Sequence, residues 1–284
     1  VICDPPVRFL RRPGMLPLPE PVRGGSLNEL RALVNVPDDA DWALVATYMA
    51  ASLRPTGPHP PLAVNGEQGC AKTTLCRMLR RLIDPNKSEL RAPPHDTRDL
   101  SIAAANSWII AVDNISNLQP WLSDAICRLA TGAGFATRKL YTDDDEQIFE
   151  AQRPVLLNGI EEFVDRPDLL DRTIVIRLPQ ITKRRDEQAL WETFERTRPG
   201  ILGALLDAVV YGLRNVQEVK LPNLPRMADF AIWATACEPA LGLAPGAFMR
   251  AYQQDREQAN ELALESSPVS GAIVAMLEAG QGRW

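Results

Sequence analysis

Short apolar runs alternate with amphipathic segments along the first two thirds of the chain. Four runs are typical of buried strands: PLAVN from Pro61, WIIAVDN from Trp108, RPVLLNGI and TIVIRLP. Helices are predicted before the first strand at residues 38–53 and between later strands at residues 72–83 and 120–131. A strand is possible at SELRAP and a helix at TRDLSIAAANS. Strands that alternate with helices indicate an α/β fold whose parallel sheet carries helices on both faces.

The pattern also predicts how the chain is divided. Residues 1–37 are a Pro- and Arg-rich arm or linker, extended and unpacked over residues 1–25. Residues 38–180 form the α/β core, and residues 181–263, where the pattern is helical throughout, form a smaller α-helical domain. Residues 264–284 are either the start of a truncated further module or a terminal helix. Because the chain does not begin with methionine, we expect it to be a fragment of a longer protein.

The composition is that of an ordinary globular protein, with 45% hydrophobic and 24% charged residues among 284. A net charge of −5 provides no overall basic field to attract nucleic acid, but it does not exclude a local basic groove. Five scattered cysteines and two histidines form no zinc-binding pattern, and unpaired thiols suit the cytoplasm. The longest apolar run, residues 201–213, is too short for a membrane span, and no secretion signal is present.

The stretch VNGEQGCAKTTL joins a predicted strand to a predicted helix and is close to a phosphate-binding loop. Its glycines let the backbone approach an anion, Lys72 would reach the β- and γ-phosphates, and Thr73 would ligate Mg²⁺. Ala71 stands where the pattern has glycine. We expect a helical conformation there, which alanine tolerates, since only a positive φ would demand glycine. The predicted cofactor-binding residues are Gly66, Glu67, Gln68, Gly69, Cys70, Ala71, Lys72, Thr73 and Thr74.

Asp113 ends the apolar run WIIAVDN. The carboxyl ends of parallel strands meet at one edge of a sheet, so an aspartate there can lie beside the loop and hold Mg²⁺ together with Thr73. The two features in this order predict a site for ATP and Mg²⁺. The alternatives are a glycine-rich turn with an exposed lysine and a strand-ending aspartate that caps a turn.

At this point the sequence resembles the AAA+ ATPases over residues 38–263. Within them it is most similar to the helicase branch: superfamily 3 helicases, phage and plasmid primase-helicases, and minichromosome-maintenance-like proteins. GEQGCAKT matches the Walker A motif and IIAVDN matches Walker B. The resemblance implies a P-loop parallel sheet followed by an α-helical lid, ATP and Mg²⁺ as cofactors, and a homo-oligomeric ring that is a hexamer.

The resemblance also implies roles for three further residues. Asn158 matches sensor 1, which orients the attacking water, Arg172 matches the arginine finger given to a neighbouring subunit, and Arg226 resembles sensor 2. With Lys72, Asp113 and Asn114 they are the predicted catalytic residues. Each has another interpretation: Asn158 as a strand cap, Arg172 paired with Asp168 or Asp171, and Arg226 docking its helix by an ion pair. Arg166 is a second candidate for the finger.

Asn114 departs from the family pattern, which has glutamate at this second Walker B position. An amide can hold a water molecule but cannot take its proton. Either another carboxylate serves, with Glu67 a candidate, or hydrolysis is slow.

Residues 135–152 resemble the pre-sensor 1 β-hairpin of the helicase branch, which would project into the pore of a ring. Arg138 and Lys139 would contact phosphates of a DNA strand, and Tyr141 would stack on bases. The acidic turn TDDDE opposes this, because carboxylates repel phosphates. The alternative is a solvated hairpin in which the basic residues pair with those acids.

Two functions of different classes follow. The first is an ATP-driven DNA translocase or helicase, the motor of a phage or mobile-element replication protein. The second is an AAA+ assembly or switch protein, an initiator, loader or regulatory ATPase, that oligomerises on ATP without unwinding. Asn114 and the acidic hairpin favour the second, and the order of the family elements favours the first.

Overall fold

The computed structural model describes residues 11–133, 135–138, 146–149, 151–160, 162–265 and 276. Its helices are α1 (Leu27–Arg31), α2 (Asp39–Ser52), α3 (Lys72–Ile83), α4 (Thr97–Asn106), α5 (Pro120–Thr131), α6 (Pro167–Leu170), α7 (Glu187–Asn215), α8 (Ala228–Cys237) and α9 (Ala247–Glu265). Its strands are β1 (Leu62–Asn65), β2 (Ile110–Ile115), β3 (Phe135–Arg138), β4 (Glu146–Phe149), β5 (Val155–Gly159) and β6 (Ile174–Arg177).

Four strands form a parallel sheet in the order β2-β5-β1-β6, which confirms the predicted α/β class. The possible strand at SELRAP is wrong as a full strand. Only Arg91 pairs with the sheet, through a parallel bridge to Val112. Pro93 and Pro94 follow within three residues, and proline has no N–H to donate to a sheet ladder.

Both faces of the sheet are covered, because side chains alternate along each strand. In β1, Leu62 and Val64 belong to one core cluster and Ala63 belongs to the other. The first cluster also contains α2, α3 and side chains of α7, α8 and α9, and the second contains α4 and α5. The helices after residue 180 therefore share a core with the sheet, and α2 packs against both α8 and α9. The boundary between core and lid stays a prediction.

A buried ion pair fixes the start of β2 relative to α3. Arg80 Nη2 lies 3.2 Å from Asp84 Oδ2, and both side chains are almost fully buried. Asp84 also accepts hydrogen bonds from the backbone N–H groups of Trp108 and Ile109, at 2.8 and 2.9 Å. Pairing offsets much of the cost of burying these charges, and removal of either partner would leave the other charge buried and unpaired. The strand that carries Asp113 is thereby held in register with the helix that carries Lys72.

The described part of the predicted arm contacts the body of the protein. Met15 bridges to Asn86, and the N–H of Val22 donates to the carbonyl of Pro199 at 3.0 Å. Residues 26–37 contain α1, which the sequence pattern did not predict. Ser26 caps this helix and Leu27 and Leu30 are buried, so one turn of helix gains its stability from packing.

The predicted hairpin contains two paired strands, and its identity as a pre-sensor 1 hairpin stays a prediction. Strands β3 and β4 are antiparallel, with Phe135 opposite Phe149 and Arg138 opposite Glu146. The acidic turn, Lys139 and Tyr141 lie outside the described residues, as does almost all of the predicted terminal segment 264–284. Within the described part of the chain, no helix is both long and apolar enough to cross a membrane.

Candidate functional site

The loop between β1 and α3 has a backbone that favours glycine at three positions. Gly66, Gly69 and Ala71 have φ of +147°, +86° and +67°. A Cβ on Gly66 would lie 2.7 Å from the carbonyl oxygen of Leu178, so no larger residue fits. The helical conformation predicted for Ala71 is wrong, since this alanine is left-handed and carries a steric cost of ~1 kcal/mol. The prediction failed because a local sequence does not reveal the turn needed to enter α3.

Lys72 is the first residue of α3 and points back into the loop. Its Nζ donates to the carbonyl oxygens of Gly66 at 2.6 Å and Glu67 at 2.9 Å, and the side chain is buried. The ammonium group therefore lies under the loop at the positive end of a helix, where an anion is favoured.

Three predicted residues converge beside Lys72. Asn158 Nδ2 donates to Thr73 Oγ1 at 3.2 Å and also to Asp113 Oδ1. Thr73 Oγ1 is 3.5 Å from the same carboxylate oxygen. The carboxyl ends of β2 and β5 are adjacent, which brings Asp113 and Asn158 to the first turn of α3. A hydroxyl and a carboxylate are oxygen ligands of the kind that Mg²⁺ prefers.

Asn114 lies beside this cluster with an unusual backbone. Its φ is +57°, and the pairing of β2 with β5 shifts register between Val112 and Ile115. Asparagine tolerates this left-handed conformation better than most residues. The side chain is exposed and lines the same cavity as Asp113.

Glu67, the carboxylate that the sequence analysis offered as a base, lies in the loop before Lys72. Its carboxylate accepts a hydrogen bond from Gln180, and it does not line the cavity that holds Asp113. Among the described residues that line this cavity, Asp113 is the only one with a carboxylate.

Two cavities meet at the loop. The first, of about 430 Å³, is lined by Lys72, Thr73, Asp113, Asn114 and Asn158. The second, of about 510 Å³, lies between the segment before α2 and the segment after β6. Both share Gly69 and Ala71, and their volumes are typical of small-molecule sites. Residues of the second cavity that the sequence pattern did not assign to a site include Leu33, Asn35, Gln180, Ile181, Lys183 and Arg184.

Arg172 and Arg226 lie together, away from both cavities. Arg172 Nη2 is 3.2 Å and Arg226 Nη2 is 2.6 Å from the same oxygen of Asp168, and Arg226 also donates to Asp171 at 2.8 Å. The bond to Asp171, with the charge of Asp168, raises the pKa of Arg226 above its ordinary value. Arg166 instead pairs with Asp124 at 3.0 Å. Within this chain Arg172 and Arg226 thus form the ion pairs that the alternative interpretation predicts. Neither residue lines the cavity that contains Lys72.

The predicted DNA contacts are placed only in part. Arg138 ends β3, but its side chain is not among those described, and Lys139 and Tyr141 follow beyond the strand. Among described residues, no group of three or more His, Cys, Asp or Glu side chains could hold a metal.

Comparison with known proteins gives a family and a fold. A family model described as the actinomycete integrative conjugative element replication protein matches residues 27–259. No curated protein matches the sequence. An apo structure of the NrS-1 C-terminal region is similar with a TM-score of 0.50 and 16% identity, over 69% of this chain and 48% of that chain. Another apo structure of that region has a TM-score of 0.49 and 15% identity, over 86% of this chain and 73% of that one.

This chain therefore spans about half the length of the first solved chain that it matches. At this level of identity the likeness shows the α/β fold alone.

Proposed function

The chain belongs to the family of actinomycete integrative conjugative element replication proteins, and on that premise we propose that it is an ATP-driven DNA motor. In this proposal it binds Mg-ATP at the β1–α3 loop and couples hydrolysis to movement along DNA. The observation that carries the proposal is the convergence of Lys72, Thr73, Asp113 and Asn158 on one cavity at the carboxyl edge of a parallel sheet.

The residues present fit Mg-ATP. Thr73 Oγ1 and Asp113 would hold Mg²⁺, which usually takes one or two carboxylates and completes its shell with phosphate oxygens and water. The described lining of this cavity has one carboxylate, that of Asp113, which agrees with this preference of Mg²⁺. The metal would supply charge stabilisation to the phosphates when bound. Lys72 already lies at the loop, and its ammonium would exchange its bonds to the Gly66 and Glu67 carbonyls for phosphate oxygens.

Hydrolysis in this site needs a positioned water more than a strong base, because phosphoryl transfer is governed by charge stabilisation and alignment. Asn158 would orient the water, since its buried amide is already directed at Thr73 and Asp113. Asn114 can hold a water but cannot accept its proton. We therefore propose slow turnover for the free chain.

Arg172 and Arg226 would act on the nucleotide of a neighbouring copy. They share Asp168 and do not line the cavity of Lys72, so a role in catalysis requires a second chain. Arg226 is 43% exposed and Arg172 is 17% exposed, so Arg226 is the more accessible of the two to a neighbouring chain. A ring, a hexamer in the AAA+ helicases that the sequence resembles, would repeat such an interface around its axis.

The rival function is a switch that assembles on ATP without moving DNA, and Asn114 favours it. The test is the ATPase rate of the full chain with and without single-stranded DNA, together with strand separation on a forked duplex. Stimulation by DNA and unwinding would support the motor. An ATPase rate that DNA does not change, with no unwinding and with oligomers that form only with ATP, would support the switch and contradict the motor.

A further inference from the structure

The segment after β6, residues 179–185, lies across the loop and is attached to it at several points. The amide of Asn35 donates to the carbonyl of Cys70 at 3.2 Å and to that of Pro179 at 2.7 Å, so one side chain joins the loop to this segment. Gln180 donates to Glu67, and Arg185 donates to the carbonyl of Ala32 at 2.7 Å. We call residues 179–185 the strap.

The strap brings one further arginine to the loop. Arg184 Nη2 lies 3.7 Å from the point where a Cβ on Gly69 would be, and Arg184 lines the second cavity with Gly69 and Ala71. Neither Lys183 nor Arg184 forms an ion pair with a described residue, in contrast to Arg172 and Arg226. This guanidinium thus borders the loop without a carboxylate partner among the residues that the structure describes.

The lining of the two cavities indicates which end of a bound nucleotide would lie in each of them. Lys72, Thr73 and Asp113 line the first cavity, which is the end for the terminal phosphate and the metal. The second cavity also contains Thr74, Leu75 and the apolar side chain of Leu33, which suit a nucleoside. The phosphates nearest the ribose would then pass Gly69 and Ala71, the two residues common to both cavities.

Resting on the proposed function, we propose that Arg184 binds the α- and β-phosphates of the nucleotide held by its own chain, from the nucleoside side of the loop. Guanidinium groups form strong charge-assisted hydrogen bonds with phosphate oxygens. Because these phosphates are present in both ATP and ADP, Arg184 contributes equally to the affinity for each. A side chain that contacts the γ-phosphate would instead raise the affinity for ATP more than the affinity for ADP.

The experiment compares ATP and ADP binding by the wild-type chain and by Arg184→Ala, Arg184→Lys and Arg196→Ala. Arg196 is a matched control, since it is exposed on α7 and lines neither cavity. We expect Arg184→Ala to weaken ATP and ADP alike by roughly tenfold, Arg184→Lys to recover part of the loss, and Arg196→Ala to bind as wild type does.

Unchanged affinities in Arg184→Ala, or a loss confined to ATP, would overturn the assignment while leaving the nucleotide site intact. If the wild-type chain bound neither nucleotide, the proposed function would fail, and this inference would fail with it.

Discussion

The Nδ2 atom of Asn158 lies 3.2 Å from Thr73 Oγ1 and joins the end of β5 to the first turn of α3. The same amide donates to Asp113, so one buried side chain sets the spacing of both proposed metal ligands. A buried amide that satisfies two partners is costly to remove, because those partners lose their hydrogen bonds.

Asn158→Ala should therefore retain ATP binding within about threefold and lower turnover by ~10²-fold, the effect expected when a catalytic group loses its positioning. Nucleotide titration and steady-state ATPase rates measure the two quantities. The matched control is Asn106→Ala, which removes an asparagine that bonds only within its own helix at Ile102. Equal turnover in Asn158→Ala and Asn106→Ala would show that Asn158 has no role in hydrolysis.

Arg172→Ala should bind ATP normally and lose turnover by ~10³-fold, because an arginine finger stabilises transition-state charge without holding the ground state. If the finger acts on a neighbour, mixing Arg172→Ala with Lys72→Ala chains should restore activity. Roughly one interface in four then pairs an intact Lys72 with an intact Arg172. Arg177→Ala, which removes an ion pair with Glu162 and lines neither cavity, is the control. No recovery on mixing would contradict action between chains.

Asn114→Asp should raise the hydrolysis rate by roughly tenfold or more, since it adds a proton acceptor beside the cavity. Aspartate tolerates the φ of +57° at this position, whereas Asn114→Glu should cost ~1 kcal/mol of stability. ATPase rates and thermal unfolding of both variants separate the two effects. A rate for Asn114→Asp no higher than wild type would show that another group already accepts the proton.

Ala71→Gly should raise the free energy of unfolding by ~1 kcal/mol, because glycine removes the strain of a φ of +67°. Gly242→Ala is the matched opposite change, because Gly242 has a φ of +72° and a Cβ there would meet nothing within 4 Å. It should lower the free energy of unfolding by a similar amount. Denaturant unfolding of both variants measures these changes. A loss of stability in Ala71→Gly would mean that this alanine is not strained.

Much of the site could be predicted from sequence because its positions are local. Asp113 and Asn158 lie near the carboxyl ends of apolar strands, and parallel strands place such ends at one edge of the sheet. The strain at Ala71, the bridge made by Asn35 and the approach of Arg184 to Gly69 could not be predicted. The bridge made by Asn35 and the approach of Arg184 to Gly69 depend on how segments distant in the sequence pack, which a local pattern does not reveal. The strain at Ala71 depends on the turn that the chain makes to enter α3.

The most direct measurement is the affinity of labelled ATP for the wild-type chain and for Lys72→Ala, each with and without Mg²⁺. We predict micromolar binding by wild type that Mg²⁺ strengthens, and a loss of at least ~10²-fold in Lys72→Ala, since the buried ammonium is the charge that the loop presents to phosphate. Lys87→Ala, which removes a lysine outside both cavities, should bind as wild type does. Equal affinity in wild type and Lys72→Ala would contradict a nucleotide site at this loop.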